Sequence, residues 1–197
     1  MNKRIAFFDF DGTITTKDSL LEFIKYSKGV LALYIGFSLH LHYLIAYKLK
    51  LISNQKAKEK ILAHFFGGMN IDEFTRYCQA FATEKIPELI RPSAVLEINR
   101  LKKENVTIVI VTASPENWIK DWANHIQADI IATKLLYVNG KITGEIDGLN
   151  CYGNEKARRI VEKYTLENYT EIFAYGDSAG DKEMLALAHK GFMKPFR

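Results

Sequence analysis

Cysteine is scarce: the 197-residue chain holds two, Cys78 and Cys151, far apart and with no CxxC or histidine-spaced partner. That argues against a disulfide framework and against a cysteine-based zinc site. No charge sign dominates either, since 27 Lys and Arg stand against 23 Asp and Glu for a net charge of +4. Without a basic arm or an acidic tail, nothing points to nucleic acid. A mildly basic surface still suits an anionic small molecule or an anionic membrane. Internal repeats and low-complexity segments are also missing, which leaves one large domain or a core with a small insertion. The opening MNKR and apolar run have the outline of a secretory leader, but Asp9 and Asp11 cut the run too early for an h-region. The expected location is cytoplasmic.

What is present is a pattern of strands alternating with helices. Lys3 to Phe10 forms a short, aromatic-rich buried strand. From about Asp18 to Ile86 the pattern is helical. It includes one long apolar helix over roughly Val30 to Leu51, a helix from Asn54 to Phe66, a break at Gly67-Gly68 and a helix from Ile71 to Ile86. Beyond Pro87 and Pro92 a helix spans Ser93 to Glu104 and a β-branched strand Val106 to Val111. Ser114-Pro115-Glu116 then has the form of an N-cap, first-turn proline and first-turn acid opening a helix. Ile130-Ile131 suggests a short strand, and LLYVNGKITGEI a hairpin turning at Asn139-Gly140 as type I′. A helix over Asn154 to Tyr164, a strand over Ile172 to Tyr175 and a helix after Asp181 follow. The expected fold is α/β: a Rossmann-like, doubly wound parallel sheet formed by 1–15 and 88–197, with an all-helical cap over 16–87 and a small β-hairpin.

The chemistry concentrates at strand ends. In an extended segment Asp9 and Asp11 point the same way, into the crevice where ligands bind in open α/β folds. Two converging carboxylates repel unless a cation or a proton neutralises one. Gly12 removes a side chain where a ligand could approach the backbone. Thr112, Ala113 and Ser114 end the second core strand, where a hydroxyl and free N–H groups form an anion site; Ser114 can equally be a plain cap. Lys156 sits in the first turn of a helix against the dipole, so it needs an anionic partner, or else it belongs to a solvated basic run with Arg158 and Arg159. Asp177 leaves a strand through Gly176, and Asp181 stands at a helix N-cap position. Carboxylates gathered there require a hard cation, and few protein ligands with retained waters suit Mg²⁺.

These residues resemble the haloacid dehalogenase-like superfamily of phosphotransferases along essentially the whole chain. DFDGT at 9–13 is similar to its first motif, Thr112 to its second, Lys156 to its third and GDSAGD at 176–181 to its fourth. The helical block between the first two motifs, and NGKITGEI ahead of the lysine, resemble the phosphoserine phosphatase branch. Dehalogenases of the superfamily lack the second acid, and its ion-pumping ATPases carry D-K-T-G. The resemblance implies a Mg²⁺-dependent phosphomonoester hydrolase. Asp9 would be the nucleophile, forming an aspartyl-phosphate, and Asp11 the acid and base. Asp9, Asp177 and the Asp11 carbonyl would hold the metal, with Asp181 ordering its outer shell. Thr112, Ala113 and Lys156 would bind phosphate oxygens, alongside Gly12 and Ser114. The resemblance implies a small or amphiphilic phosphate ester such as phosphoserine as substrate; Asp18 and Lys58 are its candidate binding residues, standing where phosphoserine phosphatases usually carry Glu and Arg instead. A phosphate-binding module without turnover is the non-enzymatic alternative.

One segment remains. VLALYIGFSLHLHYLIAYKLKL is apolar on nearly every face and approaches membrane-spanning length. It is expected to be buried in the cap or a dimer interface, or to lie at a membrane surface through 30–51 with its lysines on anionic lipid. Phosphatidylglycerophosphate phosphatases of the same branch carry a comparable apolar cap segment, so the resemblance offers a membrane-surface lipid phosphate as the alternative substrate.

Overall fold

The computed structural model describes residues 3–197. Seven strands run through it: β1 Lys3–Phe8, β2 Thr107–Pro115, β3 Asp129–Thr133, β4 Leu135–Val138, β5 Lys141–Ile146, β6 Tyr169–Gly176 and β7 Lys190–Met193. Five form one parallel sheet in the order β3-β2-β1-β6-β7, and β4 and β5 pair antiparallel as a separate hairpin. The α-helices are α1 Ser19–Lys28, α2 Val30–Leu39, α3 Leu41–Lys48, α4 Asn54–Phe66, α5 Ile71–Glu84, α6 Ile86–Leu89, α7 Pro92–Lys103, α8 Lys120–His125, α9 Asn154–Lys163 and α10 Lys182–Ala186.

The central strand is apolar on both faces because both faces are covered. Ala6 and Phe8 enter one core with Ile108 and Ile110 of β2; Ile5 and Phe7 enter the other with Val109, Val111, Ile160 and Ala174. Helices α1 to α6 lie between β1 and β2 in the chain. Their entry and exit run side by side, with Thr15 bridged to Ile90 and backbone bonds from Thr16 N to Leu89 O (2.8 Å) and Arg91 N to Ile14 O (2.8 Å). The expected hairpin is present, with Asn139 (φ 50°) and Gly140 (φ 71°) both left-handed as type I′ requires. It is stitched to the helical block: Gly68 N donates to Ile142 O and Ile142 N to Met69 O.

Four expectations need correction. The single helix over Val30 to Leu51 is two helices, α2 and α3, bent by 60° at His40. The His40 ring nitrogen lies 2.9 Å from Gly36 O, in contact with the carbonyl at the end of α2. Gly36 is fixed by close approach, since an added Cβ would collide with Phe65 and His64. Nor is this segment buried within the cap: only Leu33 and Gly36 of α2 and no residue of α3 are covered by the rest of the chain. Third, Ser114 does not cap a helix. Strand β2 continues through Pro115 with an irregularity after Thr112, then passes through a 3₁₀ turn, Glu116–Trp118, before α8. Fourth, β7 was not expected. Its four residues are all exposed and carry no buried periodicity to announce a strand.

Candidate active site

Strand β1 stops at Phe8, and the chain turns tightly over Phe10–Ile14, closed by Thr15 N donating to Phe10 O across five residues. Asp9 and Asp11 therefore do not extend side by side as alternation implied. The Asp9 carboxylate faces Lys156, whose Nζ lies 2.6 Å from Asp9 Oδ1 and 2.7 Å from Asp181 Oδ1. Thr13 donates to the other Asp9 oxygen at 3.1 Å. The Asp11 carboxylate turns toward the helical block instead. Its Oδ1 accepts from Ser19 N (2.6 Å), at the start of α1, and its Oδ2 from the Ser114 hydroxyl (2.5 Å). Behind Ser114 a donor chain continues, Trp118 Nε1 to Ser19 Oγ and Ser19 Oγ to Ser114 Oγ, each 3.1 Å.

Lys156 is 2 % exposed, and its position in the first turn of α9 is explained by the two buried acids it joins. Arg158 and Arg159 turn to Glu155 and hold its carboxyl down to about 2 despite its burial. Asp181 belongs to the turn after β6. Its Oδ2 accepts from Asp177 N (3.1 Å), Ser178 N (2.9 Å) and Ser178 Oγ (2.9 Å), so it organises that turn and caps no bond of α10. Asp177 comes off the end of β6 beside Gly12, where an added Cβ would stand 2.5 Å from Asp177 Oδ2 and the backbone is left-handed at φ 79°. Gly12 thus makes room for Asp177. The other Asp177 contact, which the sequence did not signal, is an ion pair with the half-exposed Arg197.

Asp9, Asp177 and Asp181 each offer an oxygen within 4.8 Å of the others. Burial pushes the Asp9 carboxyl up to about 7; Lys156 opposes this, while Asp181 and Asp11 add to it. Burial also raises Asp11, to about 6, reinforced by Asp18 and opposed by the Ser114 and Ser19 donors. Burial acts on Asp181 too, but Lys156 and the turn donors win and hold it below its ordinary value. For Lys156, the two carboxylates outweigh burial and keep it protonated. One buried ammonium thus stands among three oxygen-bearing acids, and Asp9 is the acid most in need of a second positive charge. An all-oxygen donor set of this kind fits a hard divalent cation.

Thr112 is fully buried, its hydroxyl accepting from Ser114 N at 3.0 Å. The Ala113 carbonyl is held by Lys58 Nζ (2.9 Å), which also donates to Asn150 Oδ1 (3.1 Å). Lys58 lies near Asp11 and Asp18, which oppose the lowering that burial imposes on its ammonium. Asp18 is exposed and caps α1 through Leu21 N. Thr13, Ser19, Trp118 and Asn150 join the network without having been singled out; Thr13 lies inside the DFDGT run and Ser19 follows a helix cap, whereas Trp118 and Asn150 carry no local signal. Replacing Lys156 by Met leaves Asp9 and Asp181 uncompensated, and metal-free protein is expected to lose about 3 kcal/mol at pH 8 in chemical denaturation. Without the ammonium, Asp9 rises further above its unfolded value; such a carboxyl favours folding below its folded pKa, so the deficit of Lys156→Met must shrink at pH 5. A deficit independent of pH would contradict the assignment.

The sequence matches the haloacid dehalogenase-like hydrolase family over residues 6–186. It is 36 % identical to Protein CicA of Caulobacter vibrioides, over 96 % of this chain and 85 % of that protein. It is 28 % identical to a Mycobacterium tuberculosis protein named "Probable phosphatase Rv3661", over 98 % of this chain and 69 % of that one. Among solved structures, a Bordetella pertussis protein of unknown function superposes with TM-score 0.82 at 20 % identity, covering 98 % of this chain and 90 % of that one. A phospho-aspartyl intermediate analogue of phosphoserine phosphatase superposes with TM-score 0.70 at 16 % identity, covering 98 % and 87 %. The fold is that of the phosphoserine phosphatase branch, and the chain belongs to the haloacid dehalogenase-like hydrolases.

Proposed function

We propose that the protein is a Mg²⁺-dependent phosphomonoester hydrolase that works through an aspartyl-phosphate on Asp9. The observation that carries this reading is the buried Asp9 carboxylate at a strand end, oriented by Thr13 and Lys156 and adjoining Asp177 and Asp181. The family match, the name of the mycobacterial relative and the likeness to phosphoserine phosphatases support it.

Asp9 Oδ attacks phosphorus and the ester oxygen leaves, splitting one difficult displacement into two easier ones. Asp11 hands its proton to that oxygen and later takes one from the water that attacks the phosphoenzyme. A carboxyl raised by burial to about 6 is suited to both tasks near neutrality. Lys156, with Thr112 and the Ala113 N–H, offsets charge on the phosphoryl oxygens. Asp9, Asp177 and the Asp11 backbone carbonyl would hold Mg²⁺, with Asp181 behind them; when bound, the ion supplies charge neutralisation at the phosphoryl group. The substrate is a small or amphiphilic phosphate ester, phosphoserine being one representative. Lys58 is committed to Ala113 and Asn150, and Asp18 to its cap, so neither is free to impose a phosphoserine-specific contact without rearranging.

Purified protein is expected to release phosphate from an aryl phosphate with Mg²⁺ and to stop when the metal is chelated. Asp9→Asn should lower kcat by about a thousandfold or more. Normal turnover in Asp9→Asn would defeat the covalent route. A second test concerns protonation. Ser114 donates to the ionised form of Asp11, so removing the hydroxyl raises the Asp11 pKa and the acid keeps its proton to higher pH. The alkaline limb of kcat/KM in Ser114→Ala must therefore move to higher pH than in wild type; an unmoved limb would separate Asp11 from the leaving-group step.

A further inference from the structure

The helices α2 and α3 expose what a water-facing surface normally covers. Leu31 is 73 % exposed, Tyr34 66 %, Leu39 59 % and Leu51 74 %, and Ile35 and Ile45 stand half out beside them. These side chains follow one another along a single elbow rather than being scattered, and contiguous apolar surface on this scale marks an interaction site. Neither limb is long enough to cross a bilayer, and the 60° bend prevents them from acting as one straight helix.

Charge identifies the occupant. Between Glu22 and Glu59 the chain contains no acidic residue but six lysines; Lys25 is paired with Glu22 and Lys58 is held inside the site, which leaves Lys28, Lys48, Lys50 and Lys56 exposed. Lys48 and Lys50 are exposed at the end of α3, between Tyr47 and Leu51, with exposed Lys56 at the start of α4. An apolar face bordered by lysines and tyrosines is the pattern of an interfacial element on anionic lipid. A second copy of the chain fits less well, because a two-fold contact over this face would set lysines against lysines with no acid between them.

The elbow also adjoins the candidate active site. Immediately after it, Asn54 and Gln55 hydrogen bond to Asn150, and Lys58 reaches the Ala113 carbonyl at the end of β2. The Tyr47 phenol lies near Tyr152, which packs on Gly180 in the turn that carries Asp177 and Asp181.

We infer that the α2–α3 elbow is a peripheral docking surface for anionic membranes, lying in the interface with its apolar side chains among the acyl chains and its lysines on lipid phosphates. Docked this way, the enzyme presents its crevice beside the bilayer surface. The binding does not require turnover, so it stands or falls separately from the phosphatase reading.

The test is co-sedimentation of the full chain with vesicles of phosphatidylcholine, alone or mixed with phosphatidylglycerol. The protein is expected to pellet with the mixed vesicles, to stay in solution with phosphatidylcholine alone, and to be released as salt rises. The pair Leu31→Glu and Ile35→Glu should weaken vesicle binding about tenfold or more, since two aliphatic side chains no longer insert. Lys48→Glu with Lys50→Glu should weaken it independently. Both double variants should hydrolyse a soluble aryl phosphate as wild type does, which also shows that they fold. Three results would overturn the inference: no pelleting with anionic vesicles, pelleting that neither variant alters, or a solution dimer that Leu31→Glu and Ile35→Glu dissociate.

Discussion

An ammonium with almost no access to water, shared between Asp9 and Asp181, ties together three parts of the chain that are distant in sequence: the end of β1, the turn after β6 and the first turn of α9. Burying such a group is costly unless its partners are close and themselves satisfied. Here they are. Thr13 completes Asp9, and the Ser178 turn completes Asp181. The rest of the site follows from this contact. It places the Asp9 oxygen at the carboxyl end of the sheet and brings Asp177 alongside. It also leaves a surplus of negative charge that a divalent cation would relieve.

The second acid obeys a different constraint. Asp11 is received by Ser19 of α1 and by Ser114 at the end of β2, so its geometry is set jointly by the helical block and the core. All the hydrogen bonds aimed at it come from donors, which favours the carboxylate, while burial and Asp18 favour the neutral form. The balance sits near neutrality. The proposed acid and base requires such a balance, while burial raises Asp9, the proposed nucleophile, higher still, to about 7, with Lys156 opposing the rise.

Much of this was legible in the residues. Apolar runs ending in acids marked the strands, β-branched Val106 to Val111 marked β2, and Asn139-Gly140 fixed the hairpin turn, because each is a local signal with a local cause. The order of motifs led to the four elements that meet at the crevice. What alternation could not foresee is the tight turn at Phe10–Ile14, which separates the Asp9 and Asp11 side chains by bending the backbone. Ser114 misled in the same way. Its setting has the form of a helix cap, but the hydroxyl is engaged by an acid 103 positions away, and such contacts leave no local trace. Break and exposure of the apolar segment were equally hidden, since composition alone cannot distinguish a covered helix from an uncovered one.

The most direct measurement of the central claim is the mass of the protein quenched in acid during turnover of a phosphate ester with Mg²⁺. The account predicts one added phosphoryl group, located on the peptide that contains Asp9 and released by hydroxylamine. Steady turnover with no covalent phosphoryl group, or with the group on another residue, would contradict it.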